Sequence, residues 1–248
     1  MTCWEVGPGL GAMTADILKA GARLTAFEID AGFSRALAEF FGDEPGFSLV
    51  QGDVLRTWEA ERIARGTPHR FFGNLPYNIA AAIVGDFISS GVIFERAVVT
   101  VQKEVAARMV AAPNTEDYSS FSVFCQWAYR VRTIMDLAGG SFWPRPNVDS
   151  RAVELVGRTD WPGCENPGIF QSVLRALFSS RRKTVHNNFK AWLAAQGASV
   201  PARGAPKGAV PDPDVLLSSV GIDPGSRAET LPLESFLRLS DAVAGVWA

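Results

Sequence analysis

Asn74-Leu75-Pro76-Tyr77-Asn78 sets a polar amide, a proline and an aromatic ring side by side. The short aromatic run before it, Arg70-Phe71-Phe72-Gly73, reads as a strand that Pro76 ends. Such a strand tip suits a flat base with an exocyclic amine. Asn74 offers a side-chain acceptor. Pro76 stiffens the backbone, so a nearby main-chain carbonyl, that of Leu75, can point outward and accept from the same amine. Tyr77 can stack on the ring face, a contact of roughly 1–3 kcal/mol per base. A plain turn around a buried tyrosine is the competing reading.

Upstream, Glu5-Val6-Gly7-Pro8-Gly9-Leu10-Gly11-Ala12 follows an apolar start and opens a helical pattern. Gly7, Gly9 and Gly11 let the backbone turn tightly from strand to helix and approach a ligand closely. The spacing also fits the G-x-G-x-x-A dinucleotide pattern, so by itself it is a weak signal. Glu28, at the end of Leu24-Thr25-Ala26-Phe27, suits ribose hydroxyls in either ligand class. Glu5 tilts the choice, because a carboxylate just before the glycines repels a pyrophosphate and suits the ammonium end of a methionine moiety. Asp53, after Phe47-Ser48-Leu49-Val50, can accept from the amine of a cofactor adenine or act as an N-cap for the next segment. Ile29 and Val54 stand beside these acids and can flank that adenine.

These residues need a sheet whose strand ends converge. The first two-thirds of the chain alternates strand and helix signals, which predicts an α/β fold with a parallel-rich, Rossmann-like sheet. Strands are expected near Cys3, Leu24, Phe47, Arg70, Arg96, Arg132 and Arg151. Helices are expected over 11–20, 31–41, 79–89 and 119–129. Phe33, Leu37, Phe40 and Phe41 fall at helical spacing and read as core. Turn signals at Trp161-Pro162-Gly163 and Asn166-Pro167-Gly168 place a domain boundary there, giving domains 1–160 and 161–248.

The 248 residues, 47% hydrophobic, suffice for a large domain and a small one without disulfides. No run of 18 apolar residues and no leader pattern stands in the sequence, so no membrane contact is expected. Cys3, Cys125 and Cys164 lack pair spacing, and with His69 and His186 they make no familiar metal site. The net charge of −2 is unevenly spread. Residues 166–211 hold no acid but carry Arg175, Arg181, Arg182, Lys183, Lys190, Arg203 and Lys207. A local basic face of this kind can bind phosphate on an acidic protein.

Further blocks follow in order: Gln102-Lys103-Glu104-Val105-Ala106 with Arg108, Asp117-Tyr118-Ser119, and Phe142-Trp143-Pro144-Arg145-Pro146-Asn147-Val148-Asp149-Ser150. Then come Phe178-Ser179-Ser180-Arg181-Arg182-Lys183-Thr184 with Asn187-Asn188, and Arg227-Ala228-Glu229. With the cofactor motifs, they make the chain resemble the S-adenosylmethionine-dependent rRNA adenine N6-dimethyltransferases, most of all the KsgA type that acts on small-subunit rRNA. The resemblance covers nearly the whole chain.

It implies a Rossmann-like S-adenosylmethionine-dependent methyltransferase sheet with a small C-terminal helical domain. It implies N6,N6-dimethylation of adenosines in small-subunit rRNA during ribosome biogenesis, by a cytoplasmic monomer without metal. Asn74, Leu75, Pro76, Tyr77 and Phe142 then form the catalytic set, Phe142 as a second aromatic wall. Glu5, Gly7, Gly9, Gly11, Glu28, Ile29, Asp53, Val54 and Asn74 hold the cofactor. Arg181, Arg182 and Lys183 bind RNA. The family's Gln-x-Phe-Leu-type run before the first glycine strand has no counterpart here, so weaker cofactor binding than in a full-length relative is expected. The alternatives are a large-subunit rRNA adenine methyltransferase of the antibiotic-resistance type, a nonenzymatic RNA-binding assembly factor, and a nicotinamide oxidoreductase, which Glu5 and Asn74–Asn78 disfavour.

Overall fold

A computed structural model of the chain describes residues 1–76, 79–141, 148–160, 162–197 and 211–247. These fall into two compact units. One comprises Met1–Val110 and Ala128–Thr159; the other comprises Ala111–Trp127 and Asp160–Ala248.

The first unit alternates β1 (Thr2–Val6), α1 (Ala12–Lys19), β2 (Arg23–Glu28), α2 (Ala31–Phe41), β3 (Phe47–Gln51), α3 (Val54–Arg65), β4 (Arg70–Asn74), α4 (Ala80–Ser89), β5 (Arg96–Gln102) and α5 (Lys103–Val110). Later come α6 (Ser120–Ala128), which ends at the return into this unit, β6 (Tyr129–Leu137) and β7 (Ser150–Gly157). The seven strands lie in the order β3-β2-β1-β4-β5-β7-β6. The pairs from β3 through β5 are parallel, whereas β7 runs antiparallel to both β5 and β6. From β1 the chain winds outward to β3 and then returns to the other side as β4. The crevice beyond the carboxyl ends of β1 and β4 is therefore a topological switch point, where open α/β sheets place their ligands.

Alternate strand residues point to opposite faces, and both faces are filled. Trp4 meets Phe27 and Phe87 at ring separations of 5.3 and 5.9 Å, and Phe71 stacks on Phe94 at 5.0 Å. Across the sheet, Cys3 joins Ile17, Ala22 and Leu24. Short polar side chains start the helices: Asp30 accepts from the amides of Gly32 and Phe33, and Asp53 from that of Leu55. Of the α2 residues read as core, Leu37 is fully buried but Phe40 is 61% exposed. The helix presents only one stripe to the sheet, and Phe40 falls outside it. The helices α3 and α5 were not expected. Polar residues dominate α3, where only Val54 and Trp58 are buried, so its periodic signal is faint.

The second unit is helical, with α7 (Pro167–Leu177), α8 (Val185–Gly197), α9 (Pro213–Ser219) and α10 (Leu233–Trp247). Asn166 caps α7 ahead of Pro167, and Asp212 caps α9 ahead of Pro213. Ala111–Trp127, expected with the sheet from its place in the alternation, clusters here instead. Its aromatic residues explain this. Phe124 and Trp127 pack on Phe170, Tyr118 packs on Phe178, and the Tyr118 hydroxyl donates to the Leu231 carbonyl at 3.0 Å. Local periodicity does not reveal which partner a buried face will find.

Candidate active site

The turn from β1 to α1 needs its glycines for separate reasons. Gly7, Gly9 and Gly11 all have positive φ, at 70°, 59° and 83°. At Gly7 a Cβ would lie 2.7 Å from the Asn74 carbonyl oxygen, and at Gly11 it would run into the Phe41 and Leu37 side chains. At Gly9 a Cβ would meet nothing within 4 Å, so close packing does not demand glycine there. Its φ, and open space for a ligand, do. The turn is fixed by the Gly7 amide donating to Phe27 at 3.1 Å and the Gly11 amide to Pro8 at 3.0 Å.

Three acids surround this turn. Glu5 is fully buried at the sheet centre, paired in register with Ala26 and Phe72. Its Oε2 accepts from the Thr14 hydroxyl at 2.7 Å, while Oε1 is buried with no hydrogen-bond partner among the described residues. Burial pushes its carboxyl up to about 7; the Thr14 hydroxyl works against this and the charge of Glu28 adds to it. Glu28 is 6% exposed, and its two oxygens accept from the amides of Gly9 (3.2 Å) and Asp30 (2.9 Å). Asp53 spends Oδ1 on the Leu55 amide at 3.0 Å, leaving Oδ2 facing Arg56 at 3.9 Å. It therefore caps α3, and one oxygen remains for another partner.

Asn74 is exposed at the last position of β4, in register with Thr100. The Leu75 amide donates to the Thr100 carbonyl at 3.0 Å and the Leu75 side chain is buried, which fixes the turn from inside. The Pro76 carbonyl accepts from the amides of Ile79 and Ala80 and starts α4. Tyr77 and Phe142, expected as aromatic walls, lie outside the described residues.

A cleft of about 60 Å³ brings together Gly7, Glu28, Ile29, Asp53, Val54 and Pro76, with Val6, Phe27, Gly52 and Ile79 completing its lining. Ile29 is 66% exposed at its edge. A larger cavity, about 320 Å³, lies at the amino ends of β1–β3 among Thr2, Arg23, Ser48 and Arg65. It touches neither the glycine turn nor Asn74, so chemistry and not volume selects the smaller cleft. Buried Glu5 and solvent-facing Gly9 fit a cationic, nucleoside-bearing cofactor better than a pyrophosphate. Sequence reading missed Thr14, the donor to Glu5, although a carboxylate buried just before a glycine turn must find one. It also missed Gly52, whose amide donates to the Glu28 carbonyl at 2.8 Å. Among the described residues, no group of three or more His, Cys, Asp or Glu could hold a metal, and no helix is long and apolar enough to cross a membrane.

In the second unit, Arg181, Arg182 and Lys183 are exposed on the turn between α7 and α8. The Arg181 guanidinium donates to the Glu116 carbonyl at 2.7 Å.

Comparison with known proteins identifies the family. The model of the family "Ribosomal RNA adenine dimethylase" matches residues 1–203. A Treponema pallidum protein named "Ribosomal RNA small subunit methyltransferase A" is 45% identical over 240 residues, covering 97% of this chain and 80% of that protein. A dimethyladenosine transferase structure from Plasmodium falciparum superposes with a TM-score of 0.78 at 24% identity, over 96% of this chain and 88% of that one. The structure of the 23S rRNA methyltransferase ErmE gives 0.63 at 24% identity, over 98% and 91%. These two likenesses speak for the fold. The family match over most of the chain, on a sheet that joins the Glu5 glycine turn to Asn74-Leu75-Pro76, places this protein in the ribosomal RNA adenine dimethylase family.

Proposed function

We propose that this protein dimethylates N6 of adenosines in small-subunit rRNA during ribosome biogenesis, with S-adenosylmethionine as methyl donor. Its family makes it an S-adenosylmethionine-dependent rRNA adenine dimethyltransferase. The observation that carries the reading is the seat of Asn74 at the carboxyl end of β4, with its backbone against Gly7 of the cofactor turn. The small-subunit choice is supported by relatives at 40–45% identity that carry that name. The likeness to ErmE, at 24% identity, speaks for the fold alone.

S-adenosylmethionine, when bound, supplies a methyl group on a positively charged sulfur. The protein's part is alignment, because the adenine N6 lone pair is delocalised into the ring and nucleophilic only when that conjugation is broken. The Asn74 side chain and the Leu75 carbonyl accept from the two N6 hydrogens and draw the nitrogen toward a pyramidal shape. Each transfer breaks the sulfur–methyl bond, leaves a neutral thioether and gives a cationic nitrogen that releases its proton to water. After the first, one hydrogen remains, and one acceptor suffices to orient it. Tyr77 and Phe142 hold the flipped base by stacking; extrusion costs a few kcal/mol, less from a loop than from a duplex. Around the cofactor, Glu28 takes the ribose hydroxyls and Asp53 the adenine amine. Ile29 and Val54 flank the ring, Gly7, Gly9 and Gly11 admit the backbone, and Glu5 faces the ammonium. Arg181, Arg182 and Lys183 form the basic loop for rRNA. We read the protein as a monomer, and small-subunit rRNA as its substrate fits a cytoplasmic location.

The test is tritium transfer from labelled S-adenosylmethionine to small and, in a separate reaction, large ribosomal subunits that lack the modification, followed by nucleoside analysis. Label in N6,N6-dimethyladenosine of small-subunit rRNA is the expected result. Label only in large-subunit rRNA moves the protein to the antibiotic-resistance type, and RNA binding without label makes it an assembly factor.

A further inference from the structure

The three basic residues of the α7–α8 turn are not equivalent. Phe178–Thr184 leaves α7 and enters α8, and Asn188, on the first turn of α8, grips its leading leg. Asn188 is 4% exposed. Its Nδ2 donates to the carbonyls of Leu177 at 2.7 Å and Ser180 at 3.0 Å, and its Oδ1 accepts from the Ser179 hydroxyl at 3.3 Å. The neighbouring Asn187 is exposed, and its backbone amide donates to the Thr184 hydroxyl at 3.4 Å. The trailing leg is tied by the amides of Val185 and His186 to the carbonyls of Ser226 and Pro224. Phe178 anchors the start by stacking on Phe236 at 5.6 Å.

Arg181 belongs to this framework. One nitrogen of its guanidinium, Nη1, donates to the Glu116 carbonyl at 2.7 Å, in a segment itself fixed by the Tyr118 hydroxyl on Leu231 and the Asn114 amide on Glu229. That segment, Glu116-Asp117, also carries two carboxylates. Arg182 and Lys183 differ: both are exposed, and no described residue pairs with either side chain. Resting on the rRNA reading above, we infer that Asn188 and Arg181 are positioning residues that pre-form the turn, while Arg182 and Lys183 make its phosphate contacts. A pre-formed turn removes part of the ordering cost of binding. That saving does not depend on salt, whereas each phosphate contact releases counterions and does.

The two roles therefore separate in a salt series. The full chain and its variants Arg181→Gln, Arg182→Gln, Lys183→Gln and Asn188→Ala are titrated with unmodified small-subunit rRNA over a range of potassium chloride concentrations. Arg182→Gln and Lys183→Gln should each flatten the plot of log K against log salt by about 0.7–0.9, one contact's worth. Arg181→Gln, which keeps a donor for Glu116, and Asn188→Ala should keep the parental slope, and Asn188→Ala should bind several-fold more weakly at every salt. Hydrogen exchange of the Lys183 amide, bonded to the Ser180 carbonyl at 3.1 Å, should quicken in Asn188→Ala while the α7 interior is unchanged. If Asn188→Ala does not fold, Ser179→Ala, which removes only the hydroxyl that orients the amide, carries the same exchange test. A slope loss in Arg181→Gln equal to that in Arg182→Gln would overturn the division, with the rRNA reading intact. Parental affinity and exchange in Asn188→Ala would remove its role. Parental slopes in both Arg182→Gln and Lys183→Gln would sink the loop as an rRNA surface, and this inference with it.

Discussion

Gly7 and Asn74, at the ends of neighbouring parallel strands, approach so closely that a single methyl on Gly7 would lie 2.7 Å from the Asn74 carbonyl oxygen. The glycine turn and the strand tip, the parts proposed to hold cofactor and base, are thus one mechanical unit, and a change on one strand is felt on the other.

Gly7→Ala should therefore damage both functions. It meets a steric clash and a φ of +70°, the latter alone costing about 1–2 kcal/mol. Gly9→Ala carries a similar φ cost without the clash. Thermal unfolding should rank the parent above Gly9→Ala and Gly9→Ala above Gly7→Ala. Methyl transfer at saturating S-adenosylmethionine should fall in Gly7→Ala, while Gly9→Ala should mainly raise the cofactor's Kd. Equal melting temperatures for the two variants would contradict the packing argument.

Glu5 should make the protein sensitive to pH. Its carboxyl is raised from an ordinary 4.5 to about 7, so between these values the folded state holds a proton that the unfolded state has lost. Stability from this group is complete below about 4.5, declines as pH rises through the window, and is constant above about 7. The loss is on the order of 3 kcal/mol. An ammonium brought near Glu5 favours its charged form, so cofactor affinity should rise with pH up to about 7. Glu5→Gln should abolish both trends; calorimetric titration and denaturant melts from pH 5 to 8 are the check, and an unchanged pH profile in the variant would exclude Glu5.

Asn74→Ala should lower methyl transfer on the order of 10²-fold, the scale for removing one aligned hydrogen-bonding group. Asn74 is exposed and its backbone ladder is untouched, so the melting temperature should stay within a degree or two of the parent, within the range for a surface substitution. Single-turnover tritium transfer to unmodified small subunits gives the answer, and parental rates would remove the amide from the mechanism.

S-adenosylmethionine should raise the melting temperature by several degrees at saturating concentration, and NAD should not. The reason is Glu5, two residues before Gly7, buried with one oxygen unpartnered among the described residues. Stabilisation by NAD alone would overturn the cofactor assignment.

Much of the candidate site's backbone was legible in the sequence because its parts are local. Glycines with positive φ, acids at strand ends and a proline after Asn74 each declare a backbone requirement within a few residues. Strand–helix alternation likewise declares a parallel sheet. What the sequence could not decide were contacts between distant segments. The donor to Glu5 is Thr14, on a helix face that only the folded turn brings round. Asp53 caps a helix with one oxygen and keeps the other for another partner, a division set by the folded turn. Phe40, at core spacing, is left in solvent because α2 meets the sheet along a single stripe. Ala111–Trp127 joins the helical unit through Tyr118, Phe124 and Trp127, whose partners lie tens of residues away. Arg181, Arg182 and Lys183 are identical in charge and adjacent in sequence, yet only the first is tied to a carbonyl, because a side chain's task is set by what the fold places within about 3 Å of it.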